Sequence, residues 1–159
     1  MIVTRLERHD RVSIEAIAAL SSEFDVAAEL DRSWSQIWVA RPSEAQALWG
    51  FAIAWFVADE VHIINVATHP EHRRRGVASA LLKTLIEHAR SDRARLVLLE
   101  VRRTNRAAIA LYRAHGFSAM GVRRHYYADT DEDAIEMLLA IDPETGRVLP
   151  GHDQVHLEC

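Results

Sequence analysis

The stretch His72-Arg73-Arg74-Arg75-Gly76-Val77-Ala78 is a basic segment that contains one glycine. A run typical of a strand, residues 61–67, precedes it, and an amphipathic helical pattern follows over residues 78–89. A loop between a strand and a helix brings backbone N–H groups together at the positive end of the helix dipole. Because three arginines at a helix start oppose that dipole, an anionic ligand is favoured over a solvated basic turn. The segment therefore predicts a pyrophosphate site.

Hydrophobic periodicity predicts the other elements on either side of this loop. Their order is β α α β β β α β α β β, with one β-α-β crossover, which predicts an α+β (mixed α/β) domain. Ser13 is the expected N-cap of the first helix, and Gly116 the expected left-handed residue after the last. The predicted helices cover residues 13–20, 26–30, 78–89 and 107–115, and the predicted strands cover 2–6, 37–40, 48–57, 61–67, 96–101, 117–122 and 134–141.

The composition of the chain is that of an ordinary globular domain. Its 159 residues are 49% hydrophobic and 26% charged, with a net charge of −4, so general nucleic-acid binding is not expected. The sequence shows neither a membrane-spanning run nor a signal-peptide core, and a single cysteine, Cys159, fits a reducing cytoplasm. We expect one domain over residues 1–142 and a flexible tail over residues 143–159.

Two common nucleotide-binding loops are excluded by pattern. The chain has no P-loop string of Gly, four residues and Gly-Lys-Ser/Thr, and no Gly-x-Gly-x-x-Gly after a first strand. What is present is Arg73-x-x-Gly76-x-Ala78, followed later by Asn105-Arg106-Ala107-Ala108-Ile109-Ala110-Leu111-Tyr112-Arg113-Ala114-His115-Gly116-Phe117. Both segments resemble the acetyl-CoA-binding motifs of the GCN5-related N-acetyltransferases (GNAT), in the order that this superfamily shows.

Within the superfamily the chain is similar to the RimI branch, which acetylates the N-terminal alanine of a ribosomal protein. This resemblance is dense over residues 65–141, whereas the first ~60 residues match only in their order of elements. It implies a GNAT-type fold: a mostly antiparallel twisted sheet with a splayed parallel strand pair, flanked by about four helices. It also implies direct acetyl transfer from acetyl-CoA to an amine, without a metal.

The resemblance also implies which residues bind acetyl-CoA. Backbone groups of the loop would hold the pyrophosphate, and a strand end would pair with the pantetheine arm. Asn105 would hydrogen-bond the same arm, although it is also a suitable N-cap for the helix that follows. The implied set is Val66, Ala67, Thr68, Arg73, Arg74, Arg75, Gly76, Val77, Ala78, Ser79 and Asn105.

Two residues are implied to be catalytic, Glu100 and Tyr112. Glu100 interrupts an apolar run that predicts a buried strand, where a charge costs free energy unless it is paired or used. By resemblance it is the general base, direct or through a water; the alternative is a salt bridge with Arg102 or Arg103. Tyr112 would protonate the departing thiolate, and the alternative is a core tyrosine.

The pKa values of the two kinds of protein amine narrow the class of acceptor. An α-amine has a pKa of ~7.7–8.0 and a lysine amine ~10.4, so near neutral pH roughly a tenth of the former is already uncharged. A carboxylate base therefore suits a protein N-terminus. An acidic run in an expected loop is predicted to attract a basic peptide such as a ribosomal N-terminus, the alternative being a solvated turn. The residues predicted to bind it are Tyr126, Tyr127, Asp129 and Asp131, with Glu132 and Asp133 completing the run.

Other activities stay open at this stage. A GNAT enzyme for a small amine or a lysine side chain is the nearest alternative, and a non-catalytic acyl-CoA-binding or interaction module is another. The His69/His72 and His152/His156 pairs have too few further ligands in their spacing to predict a metal. The oligomeric state is left undetermined.

Overall fold

The computed structural model describes residues 1–21, 25–43 and 47–157. These described residues contain eight β-strands and four α-helices, which confirms the mixed α/β class. They form two compact units, one of Met1–Val57 and Ile63–His88, the other of Ala58–His62 and Ala89–Cys159. The single domain over residues 1–142 and the splayed parallel strand pair stay predictions.

The first unit carries the N-terminal strands and three of the helices. The strands are β1 (Ile2–Arg5), β2 (Ser35–Arg41), β3 (Gly50–Val57) and β4 (Glu60–Thr68). Strand β1 pairs antiparallel with β2, and β2 with β3, in the order β1-β2-β3-β4. The helices are α1 (Arg11–Ser21), α2 (Val26–Leu30) and α3 (Val77–Ser91), and two short 3-10 turns cover Arg8–Asp10 and Pro70–His72. Residues 60–62 of β4 and residues 89–91 of α3 belong to the second unit.

The core of the first unit forms where one face of α1 meets inward residues of β2 and β3. Ile14, Ile17 and Ala18 recur at the three- and four-residue spacing that places them on one helix face. They cluster with Ile37, Val39, Phe51 and Ile53 from the strands. The stripe predicted for α3 is also buried, as expected: Leu81, Leu82, Leu85, Ile86 and Ala89.

Helix α1 begins at Arg11, two residues before Ser13, so the prediction of Ser13 as its N-cap is wrong. The chain enters α1 through the Arg8–Asp10 turn, where Asp10 accepts a hydrogen bond from the Glu7 N–H at 3.0 Å. The same carboxylate binds buried Arg41 at 2.7 Å. A long-range ion pair thus accompanies the helix start, and local sequence cannot reveal such a partner.

The second unit is an antiparallel sheet with one helix. The elements are β5 (Leu96–Arg102), α4 (Arg106–Ala114), β6 (Ser118–Tyr127), β7 (Glu132–Ile141) and β8 (Val148–Leu149). Strand β7 lies between β5 and β6, with Leu99 opposite Met137 and Val122 opposite Ile135. The last helix ends as predicted, since Gly116 has a φ of 99°.

Part of the C-terminal tail makes regular contacts. Strand β8, which the sequence did not predict, pairs antiparallel with β7 through Ala140 and Leu149. Further along, the Asp153 carboxylate accepts a hydrogen bond from the Ala119 N–H at 2.8 Å and also pairs with Arg113. The flexibility of residues 143–159 stays a prediction, and Cys159 lies outside the described residues.

Candidate active site

The basic loop connects β4 to α3 through a turn with two left-handed residues. Arg74 has a φ of 60° and Gly76 a φ of 77°. Successive N–H groups in such a conformation form a concave anion-binding nest. Helix α3 begins at Val77, one residue before the predicted start, and runs for 15 residues. Its N-terminus therefore adds helix N–H groups to the same place.

The glycine of this loop is explained by its backbone conformation. A Cβ placed on Gly76 would meet no described atom within 4 Å, so crowding by the protein does not require a glycine. The left-handed φ does favour glycine, because a side chain there costs about 1 kcal/mol. Arg74 adopts the same region without being glycine, which is the kind of strain that functional loops retain.

The loop is strongly cationic. Arg73, Arg74 and Arg75 are exposed, and among the residues that the structure describes none of them forms an ion pair. Their charges add to the positive end of α3 instead of offsetting it. Of the other predicted donor-site residues in this segment, Val77 is buried, and Ala78 and Ser79 are half-buried.

Trp49, which the sequence reasoning missed, anchors this loop. Its ring stacks on His72 with centroids 4.8 Å apart, and the Arg75 guanidinium lies 5.7 Å from its centroid. Its carbonyl accepts a hydrogen bond from the His69 N–H at 2.7 Å. The available signal was a tryptophan directly before a glycine at the start of a predicted central strand, but nothing local linked it to the loop.

Gly50 fixes the strand end that was predicted to face the pantetheine arm. A Cβ placed on Gly50 would lie 2.5 Å from the Ala67 carbonyl oxygen and 2.9 Å from Val77 Cγ1. Real Cβ atoms do not approach other atoms so closely, so only glycine lets β3, β4 and α3 meet here. Ala67 is buried, and Val66 and Thr68 are half-buried.

Three potential metal ligands also meet in this loop. Ligand atoms of His69, Glu71 and His72 lie within 4.8 Å of one another, a grouping that the histidine spacing alone did not reveal. His69 Nδ1 accepts a hydrogen bond from the Glu71 N–H, and His72 Nδ1 is buried without a described partner. Three adjacent arginines oppose a cation at this position, and the absence of a metal stays a prediction.

Glu100 lies on β5, and its surroundings differ from the predicted ones. The strand alternates, with Val97, Leu99 and Val101 buried and the Glu100 side chain 33% exposed. The expected burial of this charge was therefore wrong. Its ion-pair partner is also neither of the two arginines that were considered: Arg123 Nη2 lies 4.0 Å from Glu100 Oε1.

Helix α4 carries the other two predicted residues. The Tyr112 side chain is buried beside Phe117, and burial, followed by the charge of an ionised Tyr127, raises the pKa of Tyr112 to about 12. Asn105 caps the helix, since its Oδ1 accepts a hydrogen bond from the Ala108 N–H at 3.1 Å. The N-cap alternative for Asn105 is therefore observed, and its predicted contact with acetyl-CoA is not tested by it.

Arg102 organises the turn between β6 and β7. It binds the Asp129 carboxylate through both terminal nitrogens, Nη1 at 3.1 Å and Nη2 at 3.0 Å, and donates to Thr130 at 2.9 Å. Its guanidinium also lies 4.0 Å from the centroid of the Tyr127 ring. These hydrogen bonds hold the pKa of Asp129 below its usual value. Arg102, which the sequence predicts only as an alternative partner of Glu100, thus holds the turn that carries Asp129.

Part of the acidic run lies in a strand, and part of it forms ion pairs, whereas the sequence predicts a loop. Strand β6 extends to Tyr127 and β7 begins at Glu132, so Glu132 and Asp133 were wrongly placed in the turn. Asp131, with a φ of 58°, pairs with His125 at 3.0 Å. Tyr126 is 45% exposed, and Tyr127 has its pKa raised to about 12, chiefly by burial.

A model of the Acetyltransferase (GNAT) family matches residues 6–117. The chain belongs to the GNAT family. The matched segment of this GNAT protein includes the basic loop, Glu100, Asn105 and Tyr112, whereas the predicted acceptor residues from Tyr126 onward lie beyond it.

The GNAT chain is also similar to named relatives. It is 45% identical over 93 residues to the ribosomal protein bS18-alanine N-acetyltransferase of Escherichia coli K12. That match covers 57% of this chain and 63% of the relative, so it spans less than two thirds of the relative's length. The crystal structure of the ribosomal-protein-S18-alanine N-acetyltransferase from Escherichia coli superimposes with a TM-score of 0.79 at 29% identity, covering 98% of both chains.

A more distant structure shares the fold alone. A chain of the NatC complex bound to Gag peptide and CoA superimposes with a TM-score of 0.76 at 19% identity. The match covers 88% of this GNAT chain and 98% of the other. Separately, no helix among the described residues is both long enough and apolar enough to cross a membrane.

Proposed function

We propose that this protein transfers the acetyl group of acetyl-CoA to the N-terminal α-amine of a protein, and that the acceptor is a ribosomal protein. The observation that carries the proposal is the 45% identity to the Escherichia coli bS18-alanine N-acetyltransferase. A reducing cytoplasm, where ribosomal proteins are made, is the corresponding location.

The donor site proposed for acetyl-CoA centres on the loop before α3. Residues 73–79 would hold the pyrophosphate with backbone N–H groups, and the arginines would add Coulomb attraction. The backbone of Val66, Ala67 and Thr68 would pair with the pantetheine arm as a neighbouring strand does. Asn105 would contribute its amide nitrogen, because its oxygen is already bonded to Ala108. The match to the GNAT family supports acetyl-CoA as the donor.

Glu100 is the proposed general base. The acceptor nitrogen forms a bond to the acetyl carbon while the carbon–sulfur bond breaks, and the amine proton passes to the Glu100 carboxylate directly or through a water. A partly exposed carboxylate on a sheet face is accessible to an incoming amine. Because an α-amine loses its proton far more readily than a lysine amine, this base suits an N-terminus best.

Tyr112 is the proposed donor to the leaving sulfur. With a pKa of about 12 the phenol stays protonated over the whole working pH range. Full proton transfer to a thiolate whose acid has a pKa near ~8.5 is uphill, so we assign Tyr112 a hydrogen bond that stabilises developing charge on sulfur. Its loss should slow the reaction without abolishing it.

A peptide panel tests the proposal. Peptides with a free N-terminal alanine followed by arginine, N-blocked lysine peptides and small polyamines are each incubated with acetyl-CoA and followed by mass spectrometry. A mass increase of about 42 daltons, which corresponds to one acetyl group, on the α-amine of the free peptides supports the proposal. A shift on lysine or polyamines alone would assign the activity to those amines, and binding of acetyl-CoA without turnover would indicate a non-catalytic module.

Two variants test the residues. Glu100→Gln should reduce kcat by roughly 10²–10⁴-fold at neutral pH while acetyl-CoA still binds. Tyr112→Phe should reduce kcat by roughly 10–10³-fold with little change in either KM. Full activity of Glu100→Gln would eliminate the proposed base.

A further inference from the structure

Glu100 has a second carboxylate directly beside it. In the antiparallel pair of β5 and β7, Glu100 lies opposite Glu136. Residues opposite each other share one sheet face, with Cβ atoms about 4.5–5.5 Å apart. Their side chains are 33% and 38% exposed, so both carboxylates are open to solvent on that face. Two like charges at this spacing repel unless a cation lies between them.

Arg123 is that cation, and it contacts Glu136 more closely than it contacts Glu100. Its Nε donates a hydrogen bond to Glu136 Oε1, whereas its Nη2 lies only at 4.0 Å from Glu100 Oε1. The bond to Glu136 is also the largest reason that the pKa of Arg123 is raised. The guanidinium is therefore hydrogen-bonded to Glu136 and not to Glu100. Among the described residues of the second unit, no donor lies within hydrogen-bonding distance of the Glu100 carboxylate.

The neighbouring strand is built around the Glu136 carboxylate. Gly121 on β6 lies opposite Glu136, next to a register shift between Ala119 and Gly121. A Cβ placed on Gly121 would lie 2.8 Å from Glu136 Oε2. Any larger residue at this irregular position would push the carboxylate away. The absence of a Cβ at Gly121 thus leaves room for the Glu136 carboxylate in the position where it accepts the hydrogen bond from Arg123.

We propose that Glu136 is a positioning residue for acetyl transfer, which holds Arg123 by its Nε edge so that Glu100 stays available to the acceptor amine. This inference rests on the proposed function, in which Glu100 is the base. If Glu136 lost its charge, the nearest remaining carboxylate for Arg123 would be Glu100. A carboxylate that accepts hydrogen bonds from a guanidinium is a weaker base with fewer free lone pairs.

Other titratable groups also lie near Glu100 in the second unit. Arg102 is two residues from Glu100 on β5 and is therefore on the same sheet face. Burial raises the pKa of the Tyr127 phenol to about 12, and the charges of Arg102 and Glu100 also act on that phenol. Because neither Arg102 nor Tyr127 changes its charge near neutrality, a shift of the pH–rate profile in a Glu136 variant would reflect the loss of the Glu136 charge and the new position of Arg123.

Glu136→Gln tests the proposal, because it removes the charge and keeps the shape. We expect kcat/KM for the peptide to fall roughly 3- to 10-fold, with KM for acetyl-CoA unchanged. The acidic limb of the pH–rate profile should move to lower pH, because a carboxylate that gains an arginine partner is a weaker base. Gly121→Ala, which crowds the Glu136 carboxylate, should reproduce these effects, and Glu144→Gln on the exposed tail is the matched control.

A double-mutant cycle separates positioning from other roles. If Glu136 acts through Arg123, Glu136→Gln should have no further effect in an Arg123→Gln background. An equal loss in that background would overturn the inference, as would wild-type kinetics of Glu136→Gln. If Glu100→Gln is inactive while Glu136→Gln is normal, only this inference fails. If Glu100→Gln is fully active, the proposed base itself fails.

Discussion

Trp49 stacks on His72 with ring centroids 4.8 Å apart and 19° between the ring planes. The contact ties the start of β3 to the turn that precedes the basic loop. Trp49 also accepts a hydrogen bond from the His69 N–H through its carbonyl, so the backbone and the side chain hold the same turn. The conformation of the proposed pyrophosphate loop therefore depends on a residue that does not itself belong to the loop.

Trp49→Ala should weaken acetyl-CoA binding roughly 5- to 20-fold, because stacking and cation–π contacts of this kind contribute about 1–2 kcal/mol together. Isothermal titration calorimetry measures the affinity directly. Trp34→Ala, which removes a 46%-exposed tryptophan of the same unit, is the control and should bind normally. Equal affinity of Trp49→Ala and wild type would show that the loop holds its shape without the stack.

Gly50→Ala should lower the free energy of unfolding by about 1–3 kcal/mol, because the new Cβ would lie 2.5 Å from a backbone oxygen that cannot rotate away. Gly76→Ala is a matched comparison, since its Cβ meets open space and only the left-handed φ opposes it. Urea denaturation should therefore rank Gly50→Ala as the less stable variant. The reverse ranking would contradict the close approach at the end of β4.

The elements and the strand–loop–helix segment around Gly76 could be predicted because they depend on local pattern. The stripe of α3, the left-handed Gly116 and the strand–loop–helix order around Gly76 each depend on residues that are close together in sequence. Helical and strand periodicities report burial of this kind directly. The mixed α/β class followed from the order of these segments.

The partners of individual side chains could not be predicted in the same way. Glu100 was assigned a buried strand and a neighbour within three residues, but its partner Arg123 comes from another strand. Arg102 was considered for Glu100, yet it binds Asp129 across 27 positions of sequence. Such pairs depend on strand register and turn geometry, which propensity and spacing do not encode.

Arg102→Met should raise KM for the acceptor peptide several-fold more than KM for acetyl-CoA. The substitution removes the bonds to Asp129 and Thr130 and the contact with the Tyr127 ring, so the turn between β6 and β7 loses its organiser. Stability should change by less than about 1 kcal/mol, because the pair is at the surface. Arg95→Met, which breaks the exposed pair with Asp59, is the control for steady-state kinetics with varied peptide. A change confined to acetyl-CoA would contradict a role of the turn in acceptor binding.

The buried pair of Asp10 and Arg41 should be costly to break from one side. The Asp10 side chain is 3% exposed and the Arg41 side chain 6%, and Asp10 Oδ2 lies 2.7 Å from Arg41 Nη2. Asp10→Leu should destabilise the protein by about 3–5 kcal/mol, since it removes the carboxylate that pairs with a buried guanidinium. The double variant Asp10→Leu with Arg41→Met should recover much of that loss in chemical denaturation. A double variant as unstable as the sum of both single variants would argue against direct coupling.

Tyr112 should make the native state sensitive to alkali within a defined window. Burial raises the pKa of its phenol to about 12 from a usual 10.0. The folded protein therefore binds the proton more tightly than the unfolded chain does, so this stabilisation is complete below the unfolded value of about 10. It is lost as the pH rises from about 10 to about 12, by about 2–3 kcal/mol at most for a shift of that size.

Tyr112→Phe tests this linkage because it keeps the ring and removes the titrating hydroxyl. Urea midpoints measured from pH 9 to about 11.5 should fall less steeply in this variant than in the wild type. Tyr126→Phe, which removes the hydroxyl of a tyrosine that is 45% exposed, is the matched control. Parallel slopes for Tyr112→Phe and wild type would mean that the Tyr112 hydroxyl reaches solvent, which would in turn weaken the case for it as a protonated donor at the leaving sulfur.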